Sequence, residues 1–296
     1  MVTHASHVLL VALSLTAAWY AWRWWTIERA RRVSTPRIPR AGDSVLGFVT
    51  NFFDTLGIGS FAPTTAVFKL CGRMPDEQIP GTLNAGHALP TLIQAFIFIG
   101  VVKVEPVTLI GMIAAAIAGA WIGAGVIARL PRLAIQVGMG VALLVAAILF
   151  AATNLHWLPG GGDALGLGGA SLAVAIAANF VFGALMTLGV GLYAPCLMLV
   201  SLLGMNPLAA FPIMMGSCAF LMPVGGVRFI LTQRYDLRAA LGLAIGGIPG
   251  VLIAAFIVKS LPVDWLRWLV AVVVAYTALL MLYSARPAVM TMRRSA

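Results

Sequence analysis

Long apolar runs without a single charge divide this chain. No charged residue lies between Glu77 and Lys103, between Glu105 and Arg129, between Arg132 and Asp163, or between Asp163 and Arg228. Two further runs, Ala239–Val258 and Trp268–Ala285, follow the same rule. About 20 apolar residues cross the roughly 30 Å hydrocarbon core of a bilayer. The pattern therefore predicts helical spans over about 79–101, 106–128, 133–153, 208–231, 237–259 and 263–285. The weakly alternating strands of about 10 residues that build a membrane barrel do not fit these runs. Val8–Trp25 is one more apolar stretch, and it ends in bulky residues rather than the small ones a cleaved signal requires. It reads as a retained helix. Trp19, Tyr20, Trp22, Trp24 and Trp25 are expected to form an interfacial belt at its end.

The pattern is also duplicated. Phe48-Val49 and Thr55-Leu56-Gly57-Ile58-Gly59-Ser60-Phe61-Ala62-Pro63 recur as Phe180-Val181 and Thr187-Leu188-Gly189-Val190-Gly191-Leu192-Tyr193-Ala194-Pro195. The same spacing pairs Gly72 with Gly204, Pro75 with Pro207 and Pro80 with Pro212, and one residue less pairs Gly119 with Gly250 and Leu130-Pro131 with Leu261-Pro262. In each copy a first helix (about 43–57; about 172–189) runs into a Gly-x-Gly break. A short helix (about 62–72; about 194–204) follows, then three full spans. About 11 residues at 1.5 Å each give about 16 Å, half a membrane. The simplest account is a hairpin that dips to the midplane and returns.

Charge sets the orientation. The linker around 29–40 and the tail are rich in Arg, whereas Asn154–Gly169 has neither Lys nor Arg. Basic loops stay inside, so each copy joins opposite sides of the membrane and the second is inverted. The expected fold class is an all-α polytopic membrane protein: two inverted repeats, each with a broken or re-entrant hairpin plus three spans, and one extra N-terminal helix. The expected organisation is an N-terminal helix and basic linker (1–40), repeat 1 (41–154), an outer loop (155–170), repeat 2 (171–286) and an inner tail (287–296).

Composition agrees. Of 296 residues, 61% are hydrophobic and 9% charged, against about 25% charged in soluble domains. The net charge of +10 sits at span ends, not on a patch for nucleic acid. Cys71, Cys196 and Cys218 occur singly, without metal or disulfide spacing. No enzyme motif is present, and no metal or other cofactor is implied.

Matched helix breaks in two halves are the best sequence pointer to a transport site. Glycine lets the backbone turn and expose N–H groups, proline suits a first helical turn, and helix N-termini attract anions. The expected substrate is a small anion held at the midplane largely by backbone donors. Candidate binding residues are Asn51, Thr55, Gly57, Ile58, Gly59, Ser60, Phe61 and Ala62 at the first break, and Gly189, Gly191, Tyr193 and Ala194 at the second. Thr64, Thr65 and Thr187 flank the breaks. Asn84, His87, Ser217 and Cys218 on the following spans are expected to complete the site. Asp54 and Lys69 flank the first break and could form a structural ion pair, or Asp54 could carry a coupled proton. Met186 and Ser201 replace them in the second copy. Gly119-x-x-x-Gly123 and Gly246-x-x-x-Gly250 are assigned to helix packing.

The duplicated Gly-x-Gly…Ala-Pro segments, Pro80-Gly81-Thr82-Leu83-Asn84, Met215-Gly216-Ser217-Cys218 and Arg234-Tyr235-Asp236-Leu237 resemble the TauE/SafE sulfite exporter family of membrane permeases. Phe53-Asp54-Thr55-Leu56-Gly57-Ile58-Gly59-Ser60-Phe61 resembles one branch of it closely. The resemblance runs from about 43 to 285 and leaves the first helix as an addition. It implies a multi-pass protein of a bacterial plasma or inner membrane that carries sulfite, thiosulfate or a sulfonate. A secondary transporter, with export as the expected direction, is the leading function. An anion channel and a membrane anchoring subunit are the alternatives. The bilayer and the anion are the expected partners, and a homo-oligomer is compatible with all three readings.

Overall fold

The computed structural model describes residues 4–31, 38–127, 132–155, 157, 162–186, 191–260, 262, 265, 268–280 and 282–283. Among these the chain is helical, with one isolated bridge between Ala164 and Met205. In chain order the helices are α1 (His4–Ala30), α2 (Ala41–Thr55), α3 (Phe61–Leu70), α4 (Ile79–Val101), α5 (Pro106–Ile127), α6 (Arg132–Asn154), α7 (Gly169–Met186), α8 (Tyr193–Leu202), α9 (Pro207–Leu231) and α10 (Leu237–Ser260). A further apolar helix covers Trp268–Leu280. Of the described helices, α4, α7, α9 and Leu237–Val258 of α10 are long and apolar enough to cross a membrane.

α4, α5, α6, α9 and α10 fall within one residue of the ends set by the charge-free runs; of the last span, expected over 263–285, the helix is described over 268–280, and much of the rest lies outside the described residues. The helices flanking the breaks end earlier than expected, and the reason is local. Gly57 and Gly72 adopt φ of +98° and +55°, so each lies just past its helix. The Gly57 N–H donates to the Asp54 carbonyl at 2.8 Å and the Ile58 N–H to Phe53 at 3.1 Å, which closes α2 in a Schellman turn. Gly72 and Arg73 close α3 in the same way on Lys69 and Phe68, and Gly204 and Met205 close α8 on Ser201 and Val200. The repeated Gly72/Gly204 pair is therefore a pair of helix stops.

Two compact units divide the chain. One comprises Met1–Pro106 with Phe211–Ser260, the other Val107–Ala210 with Leu261–Ala296. Neither coincides with one copy of the repeat; each draws on both.

In the first unit α2 packs on α10. Their approach is backbone to backbone: a Cβ on Gly246 would lie 1.8 Å from the Ser44 carbonyl oxygen, and one on Gly250 would lie 2.4 Å from that of Phe48. Small residues at i and i+4 permit this. Phe68, Ile79, Leu83, Ala239 and Leu243 form a core beside it. In the second unit α7 packs on α5 in the same fashion. A Cβ on Gly119 would lie 1.8 Å from the Phe180 carbonyl oxygen, and one on Gly111 would lie 3.1 Å from Ile176. These contacts correspond. Phe48 and Phe180, Gly250 and Gly119, Ser44 and Ile176, Gly242 and Gly111 are partners under the repeat spacing, and Gly242 indeed lies against Ser44. The first helix of each copy thus packs on the second full span of the other. The packing assigned to Gly119 and Gly246 holds.

α1 lies against α4. Leu13, Tyr20 and Trp24 are buried while Trp19, Trp22 and Trp25 are exposed. The expected aromatic belt is therefore split: Tyr20 and Trp24 anchor the helix inward. The Tyr20 hydroxyl donates to the Ala85 carbonyl at 2.9 Å, and Trp24 Nε1 donates to the Tyr235 hydroxyl at 3.1 Å. Tyr235 in turn donates to Glu28 Oε1 at 2.6 Å, and Arg31 pairs with Glu28 and reaches the Ile230 carbonyl. Asp236 caps α10 by accepting the Ala239 N–H, and its own N–H donates to Thr82. The Arg234–Leu237 loop is thus an anchor and a helix cap. Burial, then the Glu28 carboxylate, pushes the Tyr235 phenol well above its ordinary value. The phenol remains a donor in the fold, so its contribution is complete below the unfolded value of about 10 and declines above it. Tyr235→Phe strands the Trp24 N–H and takes one donor from Glu28 Oε1, which keeps Arg31. It is expected to cost about 1–3 kcal/mol in thermal unfolding, with the difference from the parent shrinking above about pH 10.

Candidate functional site

The first break sits at the tip of a returning pair of helices. Arg73, just past α3, lies 3.8 Å from Asp43 in the first turn of α2, and a Cβ on Gly42 would lie 3.1 Å from its guanidinium. α3 therefore brings the chain back to the end where α2 began. Between them, Gly57 and Gly59 hold φ of +98° and +88°, conformations that cost other L-residues about 1–2 kcal/mol. α3 then starts at Phe61, with Pro63 its third residue. Its first N–H groups have no carbonyl one turn back. Thr64 N–H reaches Ser60 at 3.2 Å, which leaves Phe61 and Ala62 as the donors facing the break. A Cβ on Gly59 would meet no atom within 4 Å.

A buried polar network backs this break. Ser60 N–H donates to Asp54 Oδ1 at 2.6 Å. Gln94 Nε2 donates to Asp54 Oδ2 and to Thr55 Oγ1, both at 2.9 Å. Thr55 Oγ1 donates to the Asn51 carbonyl at 2.8 Å. His87 stands between Asn51 Oδ1, 3.1 Å from its Nδ1, and Thr64 Oγ1, 3.2 Å from its Nε2. The Phe61 ring lies 5.9 Å from the imidazole, centroid to centroid. All of these polar side chains are buried.

The structure thus brings together Asn51, Asp54, Thr55, Ser60, Phe61 and His87 from three helices, around Gly57, Ile58, Gly59 and Ala62. Asp54 stands at the break end of α3 and Lys69 at its far end, nine residues and about 13 Å along the axis from Ser60. The Asp54 carboxylate is turned to the Ser60 N–H and the Gln94 amide. Asn84 lies one turn before His87; its Nδ2 donates to the Pro80 carbonyl and its Oδ1 would lie 3.3 Å from a Cβ on Gly225. Ser217 and Cys218 on α9 are buried in this same unit, with Ser217 Oγ donating to Ile213.

Sequence reasoning missed Gln94. The signal was present: His87, Thr91 and Gln94 recur at helical spacing on an otherwise apolar span, and all three are buried.

The other unit holds the second break. Gly189 lies outside the described residues. Gly191 is exposed, with no atom within 4 Å of a Cβ. Tyr193 and Ala194 open α8 and are buried, with Pro195 the third residue of that helix. α7 and α8 also return on themselves: Asn206 N–H donates to the Ala164 carbonyl at 2.8 Å, just before α7. Met186, the last residue of α7, stands where the first copy has Asp54. Among the described residues, no three His, Cys, Asp or Glu side chains gather as a metal site would need.

The family model described as sulfite exporter TauE/SafE matches residues 2–150 and 171–296. The match begins at residue 2 and so takes in α1, which the sequence reading set apart as an addition. No curated protein and no solved structure matches the chain.

Proposed function

The chain belongs to the sulfite exporter TauE/SafE family, a family of multi-pass membrane transporters, and from that premise we propose that it carries a small sulfur-containing anion, such as sulfite or an organosulfonate, by alternating access. The observation that carries this reading is the first break. Two glycines in left-handed conformation stop α2 and restart α3 with its N-terminus at the tip of the hairpin. α3 is 10 residues long, about 15 Å, so a hairpin entering from one face delivers that N-terminus near mid-depth. Irregular backbone at that depth is tolerated where it lines a cavity. The free donors of Phe61 and Ala62 and the helix dipole favour an anion there.

In this reading the two copies are inverted, and the corresponding α2–α10 and α5–α7 contacts support it. Arg31, Arg73 and Arg238 mark the inner end of the first unit, in line with the positive-inside rule. Both hairpins are then re-entrant, one from each face. The first N-terminus already faces the Asp54 carboxylate, whereas Met186 places no charge at the equivalent position. Gly191, Tyr193 and Ala194 are the candidate contacts at the second break.

Uptake of labelled sulfite, thiosulfate, sulfoacetate, taurine, sulfate and oxalate into proteoliposomes tests the reading. Transport of a sulfur anion is expected. Gly59→Leu places a side chain at the break in a conformation strained by about 1–2 kcal/mol. It is expected to abolish uptake while the purified protein stays dispersed. Full uptake by that variant would reject the break as the binding site.

A further inference from the structure

His87 is held at both ring nitrogens, and the partners differ in kind. Asn51 Nδ2 donates to the Gly47 carbonyl at 2.7 Å, which fixes the amide and turns its oxygen to His87 Nδ1. That oxygen only accepts, so Nδ1 carries a proton. Nε2 faces the Thr64 hydroxyl, and this hydroxyl also lies 2.7 Å from the Ser60 carbonyl. A hydroxyl has one proton to give. If His87 is neutral, Thr64 donates to Nε2 and releases the Ser60 carbonyl. If His87 is an imidazolium, its Nε2–H donates to Thr64, whose proton then turns to Ser60. Both ring states are hydrogen-bonded, and one rotation of the Thr64 hydroxyl separates them. Ser60 closes the break, and its N–H is the donor to Asp54.

We propose that His87 is the coupling-proton site of transport, taking up a proton together with the anion, and that the Thr64 hydroxyl transmits its charge to the break. The proposal rests on the anion being held at that break. An unpaired charge is costly in a dry interior, so the imidazolium becomes favourable when an anion arrives within a helical turn of it. The His87 ring lies beside Phe61, whose N–H is one of the two donors facing the break. Proton and anion would therefore load together.

Other ionisable groups surround α4, with different engagements. Asp54 on α2 is joined to His87 through Ser60 and Thr64. Asp43 on α2 lies by Arg73, and Tyr20 on α1 donates to Ala85. Lys69, Arg228 and Arg238 stand near the ends of α3, α9 and α10, and Asp76 and Glu77 lie in the turn before α4. Cys218 is buried on α9.

The test uses the full chain in proteoliposomes with labelled sulfite as the probe. For a monoanion moving with one proton, a pH difference of about one unit supports about tenfold accumulation. The parent protein is expected to show it. His87→Gln and Thr64→Val are expected to lose the accumulation, whatever sulfite exchange at equal pH remains to them, and Thr64→Ser, which retains the hydroxyl, is expected to restore it. Nitrogen NMR of the imidazoles, assigned with His87→Gln, is expected to show the Nδ1–H tautomer of neutral His87. Accumulation retained in His87→Gln, a parent indifferent to the gradient, or an Nε2–H tautomer would each overturn the proposal while leaving anion transport standing. A parent protein that moves no anion of the panel would overturn the transport reading and this proposal with it.

Discussion

Gly246→Leu is expected to leave the protein unable to form its α2–α10 contact. The Gly246 position has no room even for a methyl group: a Cβ there would lie 1.8 Å from the Ser44 carbonyl oxygen and 2.9 Å from its Cα. The obstacle is backbone, so no rotamer change relieves it. Gly242 and Gly250, one turn to either side, are also closely placed, with a Cβ 2.6 Å from Asp43 Cβ and 2.4 Å from the Phe48 carbonyl oxygen. Separating the helices at one point therefore opens the whole seam. Overpacking a core costs about 1–3 kcal/mol, and more where nothing can yield; the upper end or beyond is expected here. Thermal unfolding and gel filtration in detergent would show it as a large fall in Tm or as aggregation. Gly100→Ala is the control. A Cβ there meets nothing within 4 Å, and that variant is expected to match the parent. A Gly246→Leu protein with parental Tm would refute the close seam.

The second large effect is expected at Asp54. Its two carboxylate oxygens both accept, one from the Ser60 N–H and one from Gln94 Nε2. Asp54→Asn can keep the first bond, but its amide nitrogen then meets another donor. Gln94 can turn its oxygen toward that nitrogen only by withdrawing its own N–H from Thr55. Either way a buried donor loses its partner, at about 1–3 kcal/mol. Gln94→Glu in the same chain supplies an acceptor again and is expected to recover part of the loss. A double-mutant cycle on thermal stability should give a coupling of about 0.5–3 kcal/mol. If Asp54→Asn keeps its stability and loses the proton dependence of transport, Asp54 carries the proton and the structural role assigned here is wrong.

Much of this was legible in the sequence because glycine, proline and charge each have one dominant use in a lipid-spanning chain. The absence of charge from Pro106 to Ala128 located α5, and the double Gly-x-Gly motif located both breaks. What was not legible was pairing. Nothing in a linear pattern says that the Asp54 carboxylate turns to Gln94, forty positions away, rather than to Lys69 on the next helix. Local spacing made the lysine the natural partner, yet α3 carries it to the far end of a rigid rod. Gln94 itself was hidden by its apolar neighbours; only its spacing from His87 and Thr91 marks the polar face. The aromatic cluster at the end of α1 misled for a similar reason. Its composition matches an interfacial belt, but helical phase sends Tyr20 toward α4, Trp24 toward Tyr235, and Trp19, Trp22 and Trp25 outward. Gly57 reads as the end of the first helix at a break, and Gly72 and Gly204 as the last residues of the short helices; their hydrogen bonds place all three just past a helix, which moved each of these boundaries by two positions.

The seam between α2 and α10 also sets a clock. Ser44 emerges from the ribosome about 200 residues before Gly246, and synthesis proceeds at about 5–20 residues per second. For an interval on the order of 10–40 s, α2 is in the bilayer with its small-residue face uncovered, while α3 and α4 are already present beside it. Neither copy of the repeat can mature alone, since each lends its first helix to a unit completed by the other. A chain stopped before α10 would hold a hairpin with its polar network assembled on one side and bare on the other, and that half-built state is the one membrane quality control would meet first.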